Sequence, residues 1–346
     1  MRRLLVLFLF LFIAQLGYSQ CAQILRQGRT VYDEGRIHEL PSLLASCIKS
    51  GFSDEERTEA YRLLILSYIY LDEPEKADET MLALLRDNPE FQINQESDPA
   101  ELINLYGTFR TKPILKVGVK MGTNLTTTNL IQNGSVNNLN GEIDQDFSAG
   151  IGLIGGLVVE LPFKNNKLSL ALELSFNRYS FKSESNLYSN ADGSIVTNTL
   201  FVENQNIAEL SPSIQFAPFK MNISPFFGLG GSLNYLLNTT TTSSREVLGF
   251  QEIRENDIDL TDARQKLTYS IILSAGIKPK LNRGNVLITL RYKYGLVNVV
   301  NSDKTLDVAP EFIFDYYGYY SDFKTSHLEL AIGYIFNIYN PKKISQ

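Results

Sequence analysis

The sequence predicts an α+β multidomain chain: a small all-α helical repeat unit, then an eight-stranded antiparallel up-and-down β-barrel that crosses a membrane. Three observations carry this. From residue 20 to about 111 apolar residues recur at helical spacing. From Leu115 onward they recur at every second position, and the links between the alternating segments are by turns short and long. The chain of 346 residues holds 32 Lys+Arg against 38 Asp+Glu, with 20 Phe, 18 Tyr and no Trp. An acidic balance argues against a nucleic-acid partner, because phosphate binding needs a basic face. Two Cys and two His leave little for a metal centre or a His-centred catalytic unit. The expectation is a chain that is no enzyme and holds no cofactor and no metal.

Arg2 and Arg3 precede an unbroken apolar run over residues 4–14, and Gly17-Tyr18-Ser19 follows as a small-residue cleavage site. This is the pattern of a secretory signal peptide over residues 1–19. Acylation of Cys21 is the alternative, although Tyr18-Ser19-Gln20 fits such a site poorly. No later apolar run is long enough for a spanning helix, so the exported chain is soluble or crosses as strands.

The helical domain covers residues 20–111. Ile24, Leu25, Val31 and Tyr32 mark a first helix, broken by Asp33-Glu34-Gly35; Leu40, Leu43, Leu44 and Cys47 mark a second. Ser53, with Glu56 three residues on, is a capping box that satisfies the exposed amides of a third. Asp98-Pro99-Ala100-Glu101 opens the last helix. Between them, the spacing of Tyr61, Leu64, Tyr68, Ala77, Met81, Leu84 and Pro89 resembles a tetratricopeptide (TPR) repeat. In such a repeat a small residue at the Ala77 position lets two helices approach. The spacing departs from the pattern at Asp72, where Gly is usual, and at Leu84, where Ala is usual. Cys21 and Cys47 lie at equal distances either side of Glu34 in the first hairpin. In an oxidising exported compartment that symmetry predicts a disulfide, and the CxxC spacing of a reactive pair is absent.

The barrel domain covers residues 112–346. Its apolar rows start with Leu115, Val117, Val119 and Met121 and end with Leu328, Leu330, Ile332, Tyr334 and Phe336; six more lie between. Segments of this length cross a bilayer at a tilt. The links at residues 163–167, 217–222 and 280–285 are short. Those at 126–146, 182–199, 238–266 and 297–323 are long and polar, with Thr239–Thr242 reading as a mobile tract. Eight strands return both ends to the short-turn side, which predicts an outer-membrane location with the helical unit and the C-terminus in the periplasm.

An eight-stranded barrel encloses a narrow bore. Gly150, Gly152, Gly156, Gly228, Gly230, Gly276, Gly295 and Gly333 share the polar parity, so that parity faces inward and the bulky residues face lipid. The same parity carries Lys116, Lys120, Lys278, Arg291 and Lys293 against Glu160, Glu173, Glu209 and Glu329. Unpaired, each would cost several kcal/mol, so the expectation is a lumen charge network that plugs the barrel. Glu173, Glu209 and Arg291 lie near mid-strand as one cluster. Lys120 and Glu329 sit on the first and last strands, which meet to close the ring. Tyr179, Tyr235, Tyr269, Tyr294, Tyr334 and Tyr339 lie near strand ends as expected membrane anchors. Tyr316, Tyr317, Tyr319 and Tyr320, with Phe312, Phe314 and Phe323, either pack over the mouth or form a contact surface.

Other motifs are weak. Gly150-Ile-Gly152-Leu-Ile-Gly155 matches GxGxxG formally, but no βαβ unit follows. Asp257, Asp259 and Asp262 lack the spacing of a calcium loop. Ser326, His327 and Glu329 would make a lipid hydrolase only if the His were oriented by an acid and within reach of the Ser hydroxyl. His38 reads as a surface residue.

The opening strand Ile114-Leu-Lys-Val-Gly-Val-Lys-Met-Gly122, Pro225-Phe-Phe-Gly-Leu-Gly-Gly231, Arg291-Tyr-Lys-Tyr-Gly-Leu296 and the closing His327-Leu-Glu-Leu-Ala-Ile-Gly-Tyr-Ile-Phe336 resemble the PorT-type outer-membrane β-barrel family of Bacteroidota. That resemblance covers residues 112–346 and implies the barrel fold and an envelope role, since such families include a component of a secretion and gliding apparatus. The expected partners are outer-membrane lipid and a periplasmic protein held through residues 20–111. The competing readings are a surface receptor or adhesin acting through the long loops, a small-solute channel, and a lipid-modifying barrel enzyme.

Overall fold

The computed structural model describes residues 20–132, 144–163, 167–189, 195–219, 223–247, 249–281, 283–301, 303–304, 316 and 321–344. Residues 1–19, where a signal peptide is expected, and Phe312, Phe314, Tyr317, Tyr319 and Tyr320, lie outside the described residues. The chain divides into two compact units, Met1–Pro113 with Tyr339–Gln346, and Ile114–Ile338.

The first unit holds α1 (20–33), α2 (Leu40–Lys49), α3 (Asp54–Tyr70), α4 (Pro74–Asp87) and α5 (Ala100–Gly107). At α3 the capping box forms: Ser53 Oγ accepts from the Glu56 amide while the Glu56 carboxylate accepts from the Ser53 amide. Pro lies in the first turn of α2 and of α4, where no helical N–H is lost. Leu25, Leu40, Leu44, Phe52, Ala60 and Leu64 form one core around Cys21 and Cys47. Ile65, Met81, Leu84, Leu85, Leu102 and Phe109 form a second. Of the repeat-like positions, Leu64, Ala77, Met81 and Leu84 are buried, Tyr61 and Tyr68 are half-buried, and Pro89 follows α4.

Cys21 and Cys47 are disulfide-bonded, with Cα atoms 5.6 Å apart across 26 residues of sequence. Closing a loop of that size stabilises the fold by about 3.5 kcal/mol in the chain-entropy view. Gly51 passes directly over the bridge: its φ is +127°, and a Cβ there would lie 2.6 Å from the Cys21 sulfur. Only glycine fits that turn without displacing the disulfide.

The sequence reading runs the barrel to residue 346, but the last strand ends at Ile338 and the tail joins the helical unit. Pro341 has no N–H to continue a ladder. The tail bonds instead to the chain leaving α5. Arg110 N donates to Lys342 O at 2.9 Å, Ile344 N to Thr108 O at 2.8 Å, and Lys343 pairs with Asp78. Tyr339, expected at a membrane interface, lies 3.5 Å from Glu90 in this unit.

The second unit has nine strands among the described residues. They are β1 (Leu115–Gln132), β2 (Asp144–Pro162), β3 (Leu168–Ser189), β4 (Ile195–Phe216), β5 (Ile223–Val247), β6 (Ile253–Asp259), β7 (Leu267–Leu281), β8 (Gly284–Gly295) and β9 (Asp322–Ile338). All pairings are antiparallel. The ladders β4-β3-β2-β1-β9-β8-β7-β5 close through β4–β5, giving a ring of eight, and β6 pairs only with β5.

β3, β4 and β5 run far past the apolar rows, to 22, 22 and 25 residues. Much of what reads as loop at 182–199 and 238–266 is therefore ladder, with Ser189 opposite Ile195 and Thr197 opposite Val247. Thr239–Thr242 lies within β5, and Thr239 and Thr241 are buried. β-branched side chains that present a hydroxyl suit a pleated wall around a polar interior.

Around the ring the apolar parity points outward: Met121, Ile151 and Leu229 are 68, 74 and 60 % exposed. Lys120, Glu173, Glu209, Arg291, Lys293 and Glu329 on the other parity are each at most 5 % exposed. The barrel is thus polar inside and apolar outside.

Candidate functional site

Alternation sets the site. In β3, Leu170, Leu172, Leu174 and Phe176 point out, so Glu173, Ser175, Asn177 and Tyr179 point in. In β8 the same alternation turns Arg291 and Lys293 inward, and in β9 His327 and Glu329.

Two levels of charge cross the bore. Nearer the short turns, Lys278 Nζ lies 2.5 Å from Glu160 and 2.6 Å from the Gln215 carbonyl oxygen, with Lys116 Nζ 3.8 Å from Glu160. The second level holds three cations and three carboxylates. Lys120 bonds Glu173; Arg291 reaches Glu173 at 2.6 Å and Glu329 at 3.7 Å; Lys293 bonds Glu329 and reaches Glu209 at 2.5 Å. Glu209 also accepts from Asn177, Tyr179 and Ser211. The Glu160–Lys278 and Glu173–Arg291 pairs each join strands four places apart in a ring of eight. They tie opposite walls together.

Val158, Phe226, Leu287 and Ile335 form an apolar cluster in the bore, and Lys278 Nζ lies 4.4 Å from the Phe226 ring centre. By register, Val158 and Ile335 flank Gly118, between Lys116 and Lys120 on the inward face of β1. Hydrocarbon therefore separates the two charged levels.

The register decides which partners meet. Lys120 lies opposite Gly333 in the β1–β9 ladder, while Glu329 lies opposite Asn124. Four residues of offset is about 13 Å along a strand, so the two do not pair directly as closure of the ring would allow. Each finds its partner on another wall. Glu209 and Arg291, expected in one cluster with Glu173, are joined through Lys293 and Glu329.

Tyr179 corrects the expected tyrosine belt. It shares the inward parity of β3, is 2 % exposed, and stacks on the His327 ring at 3.7 Å. Its hydroxyl lies 3.1 Å from Glu209, 3.0 Å from Lys293 and 3.4 Å from Glu329. Tyr235, Tyr269 and Tyr294 do point outward. Tyr334 is half-buried, its hydroxyl donating to Leu281 O at 2.9 Å.

His327 lies 3.0 Å through Nδ1 from Thr126 Oγ1, and Ser326 accepts from Asn129 at 2.7 Å. No Ser–His–acid relay is formed by these contacts. Gly152 sits where the β2–β3 register shifts, and a Cβ there would fall 1.8 Å from the Arg178 carbonyl oxygen. That glycine serves strand packing, not a phosphate loop. Asp259 accepts from the Thr261 amide and hydroxyl, which holds its carboxyl below the usual range. Among the described residues no group of His, Cys, Asp and Glu is arranged to hold a metal ion, and no helix is long and apolar enough to cross a membrane.

At the long-loop end lies a pair that the apolar rows do not reveal. Arg264 grips Glu203 bidentately at 2.9 and 2.6 Å. Glu203 keeps the parity of Glu209, three steps along β4, and that is the signal that would find it. Above the bore, Phe181, Val299, Val300 and Phe323 pack together, as do Phe201, Ile258, Leu260, Ala263 and Tyr316. Tyr316 and Phe323 are therefore packed, not displayed. Among the described residues a cavity of about 10 Å³ lies beside Tyr179, Gln205, Asn234 and His327, room for about one water.

The outer membrane protein beta-barrel domain matches residues 110–301. Among solved structures, the outer membrane protein OprG of Pseudomonas aeruginosa is 12 % identical, covering 65 % of this chain and 98 % of its own, with a TM-score of 0.33. Neisserial surface protein A is 12 % identical, covering 64 % and 97 %, with a TM-score of 0.31. The outer membrane protease OmpT of Escherichia coli is 10 % identical, covering 65 % and 96 %, with a TM-score of 0.30. No curated protein sequence matches.

Proposed function

The chain belongs to the outer membrane protein beta-barrel domain family, and from that premise we propose that it is a non-enzymatic anchor whose helical unit docks a protein partner in the periplasm. The observation that carries this reading is the pairing across the bore. Opposite-wall ion pairs at two levels, with hydrocarbon between them, support a bore closed to solutes. A barrel that passes nothing still fixes whatever it carries to the membrane.

What it carries is a separately cored helical unit. Residues 20–113 hold 17 acidic and 10 basic residues, a field that favours a basic or extended peptide. The repeat-like spacing from Tyr61 to Pro89, the export signal over residues 1–19 and the eight-strand return of both ends to one side support the same reading. The PorT-like strand motifs add membership of a secretion or envelope assembly.

Two measurements test it on the full-length protein. Reconstituted in planar bilayers, it is expected to give no stable stepwise conductance; large channels would refute the closed bore. A photo-crosslinking residue at exposed Glu75 or Glu79 is expected to capture a discrete periplasmic protein in cells. The same residue at Leu229 is expected to capture none. Lipid-only adducts from every helix position would remove the docking role.

A further inference from the structure

Two segments far apart in sequence meet as a short antiparallel pair inside the helical unit. Arg110 N donates to Lys342 O at 2.9 Å and Ile344 N to Thr108 O at 2.8 Å, flanking a bridge between Phe109 and Lys343. Residues opposite each other in such a pair send their side chains to one face. Phe109 is buried in the core with Met81, Leu84 and Leu85, so the Thr108–Arg110 edge is fixed to α4. Lys343, on the same face, reaches Asp78 of α4.

The two sides of this pair are held unequally. Phe109 anchors one side in hydrocarbon. The residues laid on it have no such anchor: Ile344 is 48 % exposed, Lys342 is exposed, and the Lys343 side chain is 54 % exposed. They are held by main-chain bonds, by the Arg110 guanidinium on Asn340 O at 3.0 and 2.6 Å, and by an ion pair open to solvent. Water and salt compete for each of these. What the edge accepts is an extended chain with a lysine, a carbonyl before it and an N–H after it. Nothing in that requirement is peculiar to residues 342–344. Glu75 and Glu79 stand exposed on the same helix, so α4 offers more acid than Lys343 uses.

We propose that this edge, with the Asp78 side of α4, is the docking site for an extended lysine-bearing segment of a protein partner, added as an antiparallel strand, and that residues 342–344 are its exchangeable place-holder. Strand addition draws affinity from main-chain bonds and selectivity from the side chains that alternate with them. Here the selecting side chain is the cation opposite Phe109. A segment that also reaches Glu75 and Glu79 has contacts that the place-holder lacks. The inference rests on the docking role proposed above and names the place and chemistry of the contact.

The test uses the full-length protein in mild detergent and a synthetic peptide of residues 339–344 carrying an N-terminal benzophenone, with photo-adducts mapped by mass spectrometry. Lys343→Glu/Ile344→Pro in the protein frees the edge: it reverses the charge facing Asp78 and removes the N–H that bonds Thr108 O. The freed protein is expected to be labelled within residues 74–110 at a peptide concentration at least about tenfold below that needed for the native protein, because the open fraction rises. Methylating the peptide's Ile344 nitrogen, or placing Lys343→Glu in the peptide, should each weaken labelling about fivefold. Should the double variant fail to fold, Ile344→Pro alone is scored by the same rule. Equal labelling of native and freed proteins overturns the proposal, as does labelling indifferent to the peptide's N–H and lysine. The docking role is judged apart. If the crosslinker at Glu79 captures the same partner in cells at the same yield with and without Ile344→Pro, docking stands and this site is rejected.

Discussion

In the helical unit Leu44, Met81 and Leu84 are wholly buried and most charges stand outside, whereas in the barrel Met121, Ile151 and Leu229 stand outside and Arg291, Lys293 and Glu329 are buried. Both units contain the same residue types; what differs is the medium each outer surface meets. Water around the helices drives hydrocarbon inward. Lipid around the strands removes that drive, and the bore must be held by charge and shape instead. One unit has a core that tolerates swaps of similar volume. The other has a core in which each residue depends on a named partner.

Breaking one partner should therefore show the largest contrast. Lys293→Leu strands Glu209 and leaves Glu329 only Arg291 as a cation partner, and loss of one member of a buried pair costs about 3–5 kcal/mol. It should appear as a lower barrel melting temperature in detergent, with the helical unit unaffected. In the other unit, Cys21→Ala/Cys47→Ala should remove about 3.5 kcal/mol, read as faster hydrogen exchange confined to residues 20–107. Third, Leu229→Arg puts a charge on the barrel exterior, where about 2–4 kcal/mol is the cost at mid-bilayer. Leu71→Arg, at an exposed site beside α3, should cost almost nothing. If the two arginines weigh the same, the contrast between the surfaces fails. Smaller again is Ser53→Ala at the α3 cap, about 1 kcal/mol, seen as fraying of Asp54–Arg57 in exchange.

The smallest effect is a pH dependence. Burial, helped by Tyr70, raises the Tyr32 hydroxyl from its usual 10 to about 12. A raised folded value favours the neutral phenol, so its contribution is intact below pH 10 and is lost as pH climbs towards 12. Helical-unit protection should fall across that window in the native chain, and less steeply in Tyr32→Phe.

The eight rows that cross the membrane were legible because a period of two survives in every segment from Leu168 to Phe176 and from Leu328 to Phe336. The inward parity of the charges followed from the same alternation. The extensions of β3, β4 and β5 were not legible. There Ser183, Ser185, Thr197, Thr199, Thr239 and Thr241 line a polar interior, so no apolar row marks the strand. The partner choices in the bore were hidden for another reason. Whether Lys120 meets Glu173 or Glu329 depends on register and on what faces it across the ring, and neither is written locally. Tyr179 lies near a strand end, as a membrane anchor would, but its parity in β3 turns it into the bore.

The helical unit is assembled from segments on either side of the barrel strands: Thr108, Arg110 and Asp78 bond to Ile344, Lys342 and Lys343. Topologically, the entire ring of strands is an insertion inside that unit. A chain that stops anywhere within the barrel leaves the Thr108 carbonyl and the Asp78 carboxylate without these partners. The unit thus gains its last hydrogen bonds only from residues that follow the closing strand.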